Sequence, residues 1–243
     1  IDEFTVEKVL GAGGMGAVYR ATNAAGETVA LKVLPSQAGR DPQERLKDVR
    51  RFLNEAKLAK RVSSPNVYKV FKYGVDDGGQ AYMAASLAEG VSLREYVSKN
   101  GPLKPDQVIK LARGVCQALQ AIHGAEVLHR DVTPANVMLG PGWETKKDAG
   151  VVIIDFGLAV PLDKEKAGGG AAEPTALFKH RVAKKDDDVD EEALYLEDLP
   201  GGTPAYMAPE VLEDPADVDE RADLYGLGST MYFASTGHPP YSG

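Results

Sequence analysis

A lysine stands inside an apolar strand, at Val29-Ala30-Leu31-Lys32-Val33-Leu34. Burying an ammonium there is unfavourable unless anions face it; the alternative is that its stem snorkels and the charge stays in water. Upstream, Gly11, Gly13 and Gly16 keep a G-x-G-x-x-G spacing, with Ala12 and Gly14 between them. Such a turn lets backbone N–H groups approach phosphate oxygens with no side chain in the way. The spacing also suits a flexible hairpin or a dinucleotide-binding turn. A dinucleotide turn runs into a helix, whereas Ala17-Val18-Tyr19-Arg20 continues as strand. Downstream, Asp131, Asn136 and Asp155 offer oxygen donors, which suit a hard cation rather than zinc. Asp155 follows the apolar run Val151-Val152-Ile153-Ile154 and is expected at a strand end, facing a charge. A glycine cradle, a paired lysine and hard-cation ligands are together the parts of a phosphoryl-transfer site.

These side chains need elements to hold them. Residues 1–34 read as strands around the glycine turn, and alternation over 28–34 puts Ala30 and Lys32 on one face. A helix is expected over 42–62, with Leu46, Val49, Leu53 and Ala56 at helical spacing. A second is expected over 105–123, with Val108, Leu111, Ala112, Val115, Leu119 and Ile122 as its apolar face. Cys116 is expected on that buried side. Two short apolar strands, 137–139 and 151–154, flank a polar tip where Trp143 reads as a loop cap. Residues 210–241 return to helical patterning. The stretch 158–202 has little periodicity, carries more than half of the net negative charge and reads as a mobile loop.

The chain of 243 residues, 43% hydrophobic and 26% charged, has the balance of a soluble globular protein long enough for one large domain or two lobes. A net charge of −8 argues against general nucleic-acid binding. The one cysteine cannot form an internal disulfide and suits a reducing compartment. No run of 18 apolar residues and no signal-peptide pattern occurs, so no membrane contact by this segment is expected. The location expected is cytoplasmic, as a whole protein or as the cytoplasmic part of a larger, membrane-anchored one.

Five motifs stand in one order: Gly11–Val18, Val29-Ala30-Leu31-Lys32, His129-Arg130-Asp131 with Asn136, Asp155-Phe156-Gly157, and Ala208-Pro209-Glu210. In that order the chain resembles the catalytic domain of a bacterial eukaryotic-like (Hanks-type) serine/threonine protein kinase. The resemblance covers essentially its whole length, and the Gly-Gly-Met-Gly loop points to the bacterial branch. It implies an α+β, two-lobed kinase-like fold: a small antiparallel-sheet lobe over 1–87 and a mainly helical lobe over 88–243. The activation segment would span 155–210 with a long insertion. The family's last helices, and the arginine that pairs with Glu210, would lie beyond Gly243, leaving the helical lobe incomplete.

The resemblance also implies roles. Asp131 would accept the substrate hydroxyl's proton, while Asn136 and Asp155 would hold Mg²⁺. Lys32 would bind ATP phosphates and pair with a helix glutamate, matched by Glu55 and more weakly by Glu44. Gly11, Ala12, Gly13, Gly14 and Gly16 would cover the phosphates. Leu10, Val18, Ala30 and Met138 would wall the adenine pocket, with Ala85, Ser86, Leu87 and Ala88 along its hinge. Family members usually have a bulkier residue at the Ala85 position, so room behind the adenine is expected. His129 reads as a packed structural residue, Arg130 as the partner of a phosphorylated loop, and Asp223 as a brace for the catalytic loop. Thr203 matches the threonine that contacts the catalytic aspartate and supports Ser/Thr hydroxyls as acceptors.

One departure bears on rate. The family usually carries lysine two residues after the catalytic aspartate; here Thr133 stands there. Loss of that charge is expected to slow or specialise the activity. The implied reaction is γ-phosphoryl transfer from ATP to Ser/Thr of protein substrates, including this chain itself in trans, on Thr175 or Thr203. A rival role for the acidic run 186–192 is to attract basic partners without phosphorylation; the plainer reading is a solvated insertion. The alternatives in function are a pseudokinase, acting as a nucleotide-binding or scaffolding module, and a kinase of small molecules. The last gives no reason for Thr203 and Ala208-Pro209-Glu210.

Overall fold

The computed structural model describes residues 1, 3–13, 16–35, 41–145, 150–162, 204–213 and 218–241. The first lobe is built on a five-stranded antiparallel sheet. Its strands are β1 (Thr5–Gly13), β2 (Gly16–Thr22), β3 (Thr28–Val33), β4 (Val70–Val75) and β5 (Ala81–Ser86), in the order β1-β2-β3-β5-β4. Alternation sorts the faces. Val29 and Leu31 of β3 pack with Phe4, Ala21, Tyr82 and Ala84 on one side, which leaves Ala30 and Lys32 on the other.

That other face receives α1 (Pro42–Arg61), which packs on β4 and β5. Asp41 caps the helix by accepting the N–H groups of Gln43 and Glu44, and Pro42 opens the first turn. The buried stripe of α1 is Phe52, Glu55, Ala56, Leu58 and Ala59. Leu46, expected on the apolar face, is exposed. The buried residues all lie in the second half of the helix, and residues 42–47 are exposed.

The connection from α1 to β4 ties the sheet to the second lobe. Asn66 donates to the Val151 carbonyl at 2.8 Å and its own carbonyl accepts the Ile153 N–H at 2.8 Å. Three residues on, Lys69 and Ser86 exchange hydrogen bonds at 2.9 and 2.8 Å.

The second lobe starts with β6 (Val91–Ser92) and α2 (Leu93–Asn100), opened by a reciprocal capping box between Ser92 and Glu95. Next come α3 (Pro105–Gly124), β7 (Val127–Leu128), β8 (Val137–Leu139) and β9 (Val151–Ile153). A small sheet runs β6-β8-β9. The expected apolar face of α3 is the one that packs: Leu111, Val115, Leu119 and Ile122 are buried. Cys116, expected on it, is exposed, because it lies one residue round the turn from Val115. Trp143 is no loose loop cap: it is 2% exposed, edge-on to Tyr96 with ring centroids 5.4 Å apart. A strand β10 (Val160–Pro161) pairs with β7, so the start of the stretch expected to be loop is sheet; residues 163–203, including Thr175 and Thr203, lie outside the described residues. The lobe continues with α4 (Pro209–Glu213) and α5 (Arg221–Thr236), which packs against α3 and ends on Gly237 in the left-handed region.

Candidate active site

Lys32 is placed by its strand. It lies opposite Val18 of β2 and Met83 of β5, so its ammonium emerges beneath the glycine turn on the α1 side. Its side chain is 13% exposed, and it is paired rather than snorkelled: Nζ stands 2.6 Å from Glu55 Oε1 and 3.5 Å from Asp155 Oδ1. Burial alone lowers the lysine's pKa, but Glu55 and Asp155 outweigh this and hold it above its ordinary value. Glu55, the deeper member, is pushed up by burial against the pull of Lys32. Glu44 is exposed at the start of α1, far from this role.

Asp155 sits just beyond β9, as its apolar approach implies, with φ +67°. That left-handed turn swings the carboxylate back, where it accepts the Gly157 N–H at 3.0 Å. Desolvation raises its pKa; Lys32 and the Gly157 N–H more than offset that and hold Asp155 below the usual carboxylate value. Phe156 turns inward, 1% exposed, between His129 and Tyr68, with ring centroids at 4.9 and 5.7 Å.

The loop between β7 and β8 carries Asp131 and Asn136. Asn136 Nδ2 donates to Asp131 Oδ2 at 2.6 Å and to its carbonyl at 3.0 Å. Asp131 Oδ1 is buried without a hydrogen-bond partner among the described residues. Burial raises Asp131, with the His129 interaction opposing and the charge of Asp155 adding to the rise. The Asn136 carbonyl accepts the Ile154 N–H at 2.9 Å, so this loop and the Asp155 turn are joined by their backbones. Thr133 is 3% exposed and its carbonyl accepts the Asn136 N–H at 3.0 Å.

The loop is braced from behind. Asp223 of α5, 1% exposed, accepts the His129 N–H on Oδ2 at 3.0 Å and the Arg130 N–H on Oδ1 at 2.7 Å, while His123 Nε2 lies 2.7 Å from Oδ2. His129 is fully buried. Arg130 has φ +63°, and its Nε and Nη2 are buried with no partner among the described residues.

The remaining expected positions lie on β1, the β1–β2 hairpin, β3, β5, β8 and the connection between β5 and β6. Leu10, Gly11 and Ala12 are exposed on β1, paired with β2 at Val18 and Ala17. Gly13 faces Gly16 in the hairpin, and Gly14 lies outside the described residues. Gly16 has φ +130°, and a Cβ there would stand 2.5 Å from the Val33 carbonyl oxygen, so a side chain is excluded. Ala30 and Ala85 are direct cross-strand partners, and Ala85 is 3% exposed. Ser86, Leu87 and Ala88 lead from β5 toward β6, and Met138 is half-buried on β8. His123 and Tyr68 were not marked by the sequence reading. His123 falls in the last turn of an amphipathic helix and Tyr68 in the connection between α1 and β4, and neither has a spacing signal.

Two lobes joined at β5, a lysine paired to a helix carboxylate, and a braced Asp–Asn loop define a phosphotransferase of the protein kinase type. The protein kinase domain model matches residues 4–243, and the chain belongs to that family. Serine/threonine-protein kinase AfsK of Streptomyces coelicolor is 35% identical over all of this chain and 26% of its own length. Serine/threonine-protein kinase pkn3 of Myxococcus xanthus is 32% identical over 98% of the chain and 38% of its own length. Serine/threonine-protein kinase PknB of Mycolicibacterium smegmatis is 31% identical over all of it and 34% of its own length. The chain thus spans about a quarter to two fifths of these relatives. Protein kinases use ATP and Mg²⁺.

Proposed function

We propose that this domain transfers the γ-phosphoryl group of ATP to serine and threonine hydroxyls of proteins, its own chain in trans among them. The observation that carries this reading is the joining of the ionic cluster Lys32–Glu55–Asp155 to the hydrogen-bonded pair Asp131–Asn136 by the backbone bond from Ile154 to Asn136. The names of the relatives support Ser/Thr as the acceptors. The proposed division is 1–87 and 88–243, with the activation segment at 155–210.

The donor set fits the cation. Mg²⁺ is commonly held by one or two protein oxygens, with phosphates and water completing its shell. Asn136 and Asp155 supply such a pair, and among the described residues no group of three His, Cys, Asp or Glu forms a cage. When bound, the cation would neutralise charge on the phosphates. Lys32, kept protonated by its two carboxylates, donates to phosphate oxygens. Asp131 is aimed by Asn136, and its Oδ1, which has no hydrogen-bond partner among the described residues, is the atom to accept the proton of an incoming hydroxyl. Thr133 brings no charge, so one contact typically worth on the order of 10²–10³ in rate is lost. Phosphate on Thr175 or Thr203 would supply an anion for the buried Arg130 guanidinium. Among the described residues no helix is long and apolar enough to cross a membrane. The proposed location is cytoplasmic, as a whole protein or as the cytoplasmic part of a larger, membrane-anchored one. The relatives' names weigh against the pseudokinase alternative.

The test is phosphate incorporation from labelled ATP with Mg²⁺, using the full-length protein and its Asp131→Asn variant, with sites mapped by mass spectrometry. Incorporation on Ser or Thr that falls by about 10³ or more in the variant is expected. Equal incorporation in both, or none in either, would overturn the reading.

A further inference from the structure

Two hydroxyls at the end of α5 bond as helical hydroxyls ordinarily do. Ser235 donates to the Met231 carbonyl and Thr236 to the Tyr232 carbonyl, each at 2.8 Å and each four residues back. Thr230 differs. Its hydroxyl leaves the helix and donates to the Val132 carbonyl of the catalytic loop at 2.9 Å. Thr230 is fully buried and Val132 is 3% exposed, so the bond is shut away from bulk solvent. Valine has the same shape without the polar atom, and the hydroxyl is what sets threonine apart at this position.

Thr230 shares a face of α5 with Asp223, two turns before it. Gly226 lies between them. A Cβ there would stand 3.1 Å from the Val132 Cβ and 3.2 Å from its carbonyl oxygen, so the loop backbone lies directly on the helix. Asp223 accepts the N–H groups of His129 and Arg130, just before Asp131. Thr230 takes the carbonyl just after it, and one helix thus grips the chain on both sides of Asp131. From Val132 the restraint runs on. Its carbonyl and the Thr133 N–H belong to one planar peptide unit. The Thr133 carbonyl accepts the Asn136 N–H at 3.0 Å, and Asn136 Nδ2 donates to the Asp131 carboxylate at 2.6 Å.

We infer that Thr230 is a positioning residue for phosphoryl transfer: its hydroxyl fixes the peptide after Asp131 and, through Asn136, the direction of the Asp131 carboxylate. Deprived of this donor, a buried carbonyl is unfavourable and its peptide turns to find another. The inference rests on the phosphotransfer reading above, in which Asp131 receives the proton of the acceptor hydroxyl. The effect falls on kcat rather than on the KM for ATP, because Lys32 and the glycine turn stand on other elements.

The experiment compares the full-length protein with its Thr230→Val, Thr230→Ser and Thr230→Ala variants. Melting temperatures are measured first, then kcat and the KM for ATP well below every transition. Valine keeps the shape and drops the donor; serine keeps the donor and drops a methyl group; alanine drops both. Thr230→Val and Thr230→Ala are expected to lose about ten- to a hundredfold in kcat, with the KM for ATP within about twofold of wild type. Thr230→Ser is expected to stay within about threefold of wild type in kcat, even though it melts lower. A Thr230→Val variant as active as wild type overturns the inference, as does a serine variant that loses as much as valine or alanine. So does a loss carried by the KM for ATP alone. Should Thr230→Val not fold, serine against alanine decides, since only serine keeps the donor. A wild type that transfers no phosphate would instead remove the phosphotransfer reading, and this inference with it.

Discussion

Ala85 shows how a single side chain can set which ligands a cleft admits. It is the direct partner of Ala30 across β3 and β5, and two methyl groups are all that these positions place at the inner end of the proposed adenine pocket. Substituting Ala85→Met adds three heavy atoms to a 3% exposed position. The expected result is that adenine analogues enlarged on the inner edge lose at least tenfold in affinity, while ATP is affected much less. Competition against a fluorescent nucleotide checks it; equal binding of enlarged analogues to both proteins would remove Ala85 from this place. Lys32 makes a related point. Its motif identified it, but the sequence left both a snorkelling ammonium and Glu44 open. Two distances settle its partner as Glu55 in the free protein.

At the scale of elements, the position of β9, and of β8 paired to it, depends on how closely α3 lies against β9. Gly114 makes that approach possible: a Cβ there would stand 2.6 Å from the Cβ of Val151. Both atoms are fixed to backbone, so no rotamer change relieves the clash. Alanine ordinarily favours a helix over glycine by about 1 kcal/mol. At this contact the sign reverses, and Gly114→Ala is expected to destabilise by about 1–3 kcal/mol. In a domain of this size that is a fall of about 2–4 °C in melting temperature per kcal/mol. A calorimetric scan that showed an unchanged or higher melting temperature would refute this. β9 is also the strand that delivers Asp155, so its displacement should lower phosphate transfer as well as stability.

For the molecule as a whole, Asp223 is the junction. It sits on α5, faces His123 at the end of α3, and holds the backbone of the loop that carries Asp131. Burial by itself raises its pKa, but the His123 hydrogen bond, the charge interaction with His129 and the His129 N–H prevail, and it lies below the ordinary value. A carboxyl depressed by folding contributes stability in full above its unfolded value, about pH 4. That contribution is lost as the pH falls through the lower, folded value. Removing such an anion from its buried partners, as in Asp223→Ala, is expected to cost about 3–5 kcal/mol. In Asp223→Asn the acid side of the curve of melting temperature against pH should be flatter than in wild type. Parallel acid limbs for the two proteins would show that another group sets the dependence.

The sequence by itself determined the family, the order of the elements and the list of chemical groups, because motif spacing and hydrophobic period are local properties of the chain. Ala30 and Lys32 share a face because a strand alternates, and Leu111 and Val115 are buried because a helix repeats. The tertiary structure alone decided what depends on distant partners. Leu46 is exposed because only the second half of α1 is covered, Trp143 is buried because Tyr96 of α2 comes to meet it, and Cys116 is exposed because α3 packs by one narrow face. The environment of Tyr68 is of the same kind. Phe156 and Ile153 come to it from the segment around the end of β9, and no window of sequence around this tyrosine contains them.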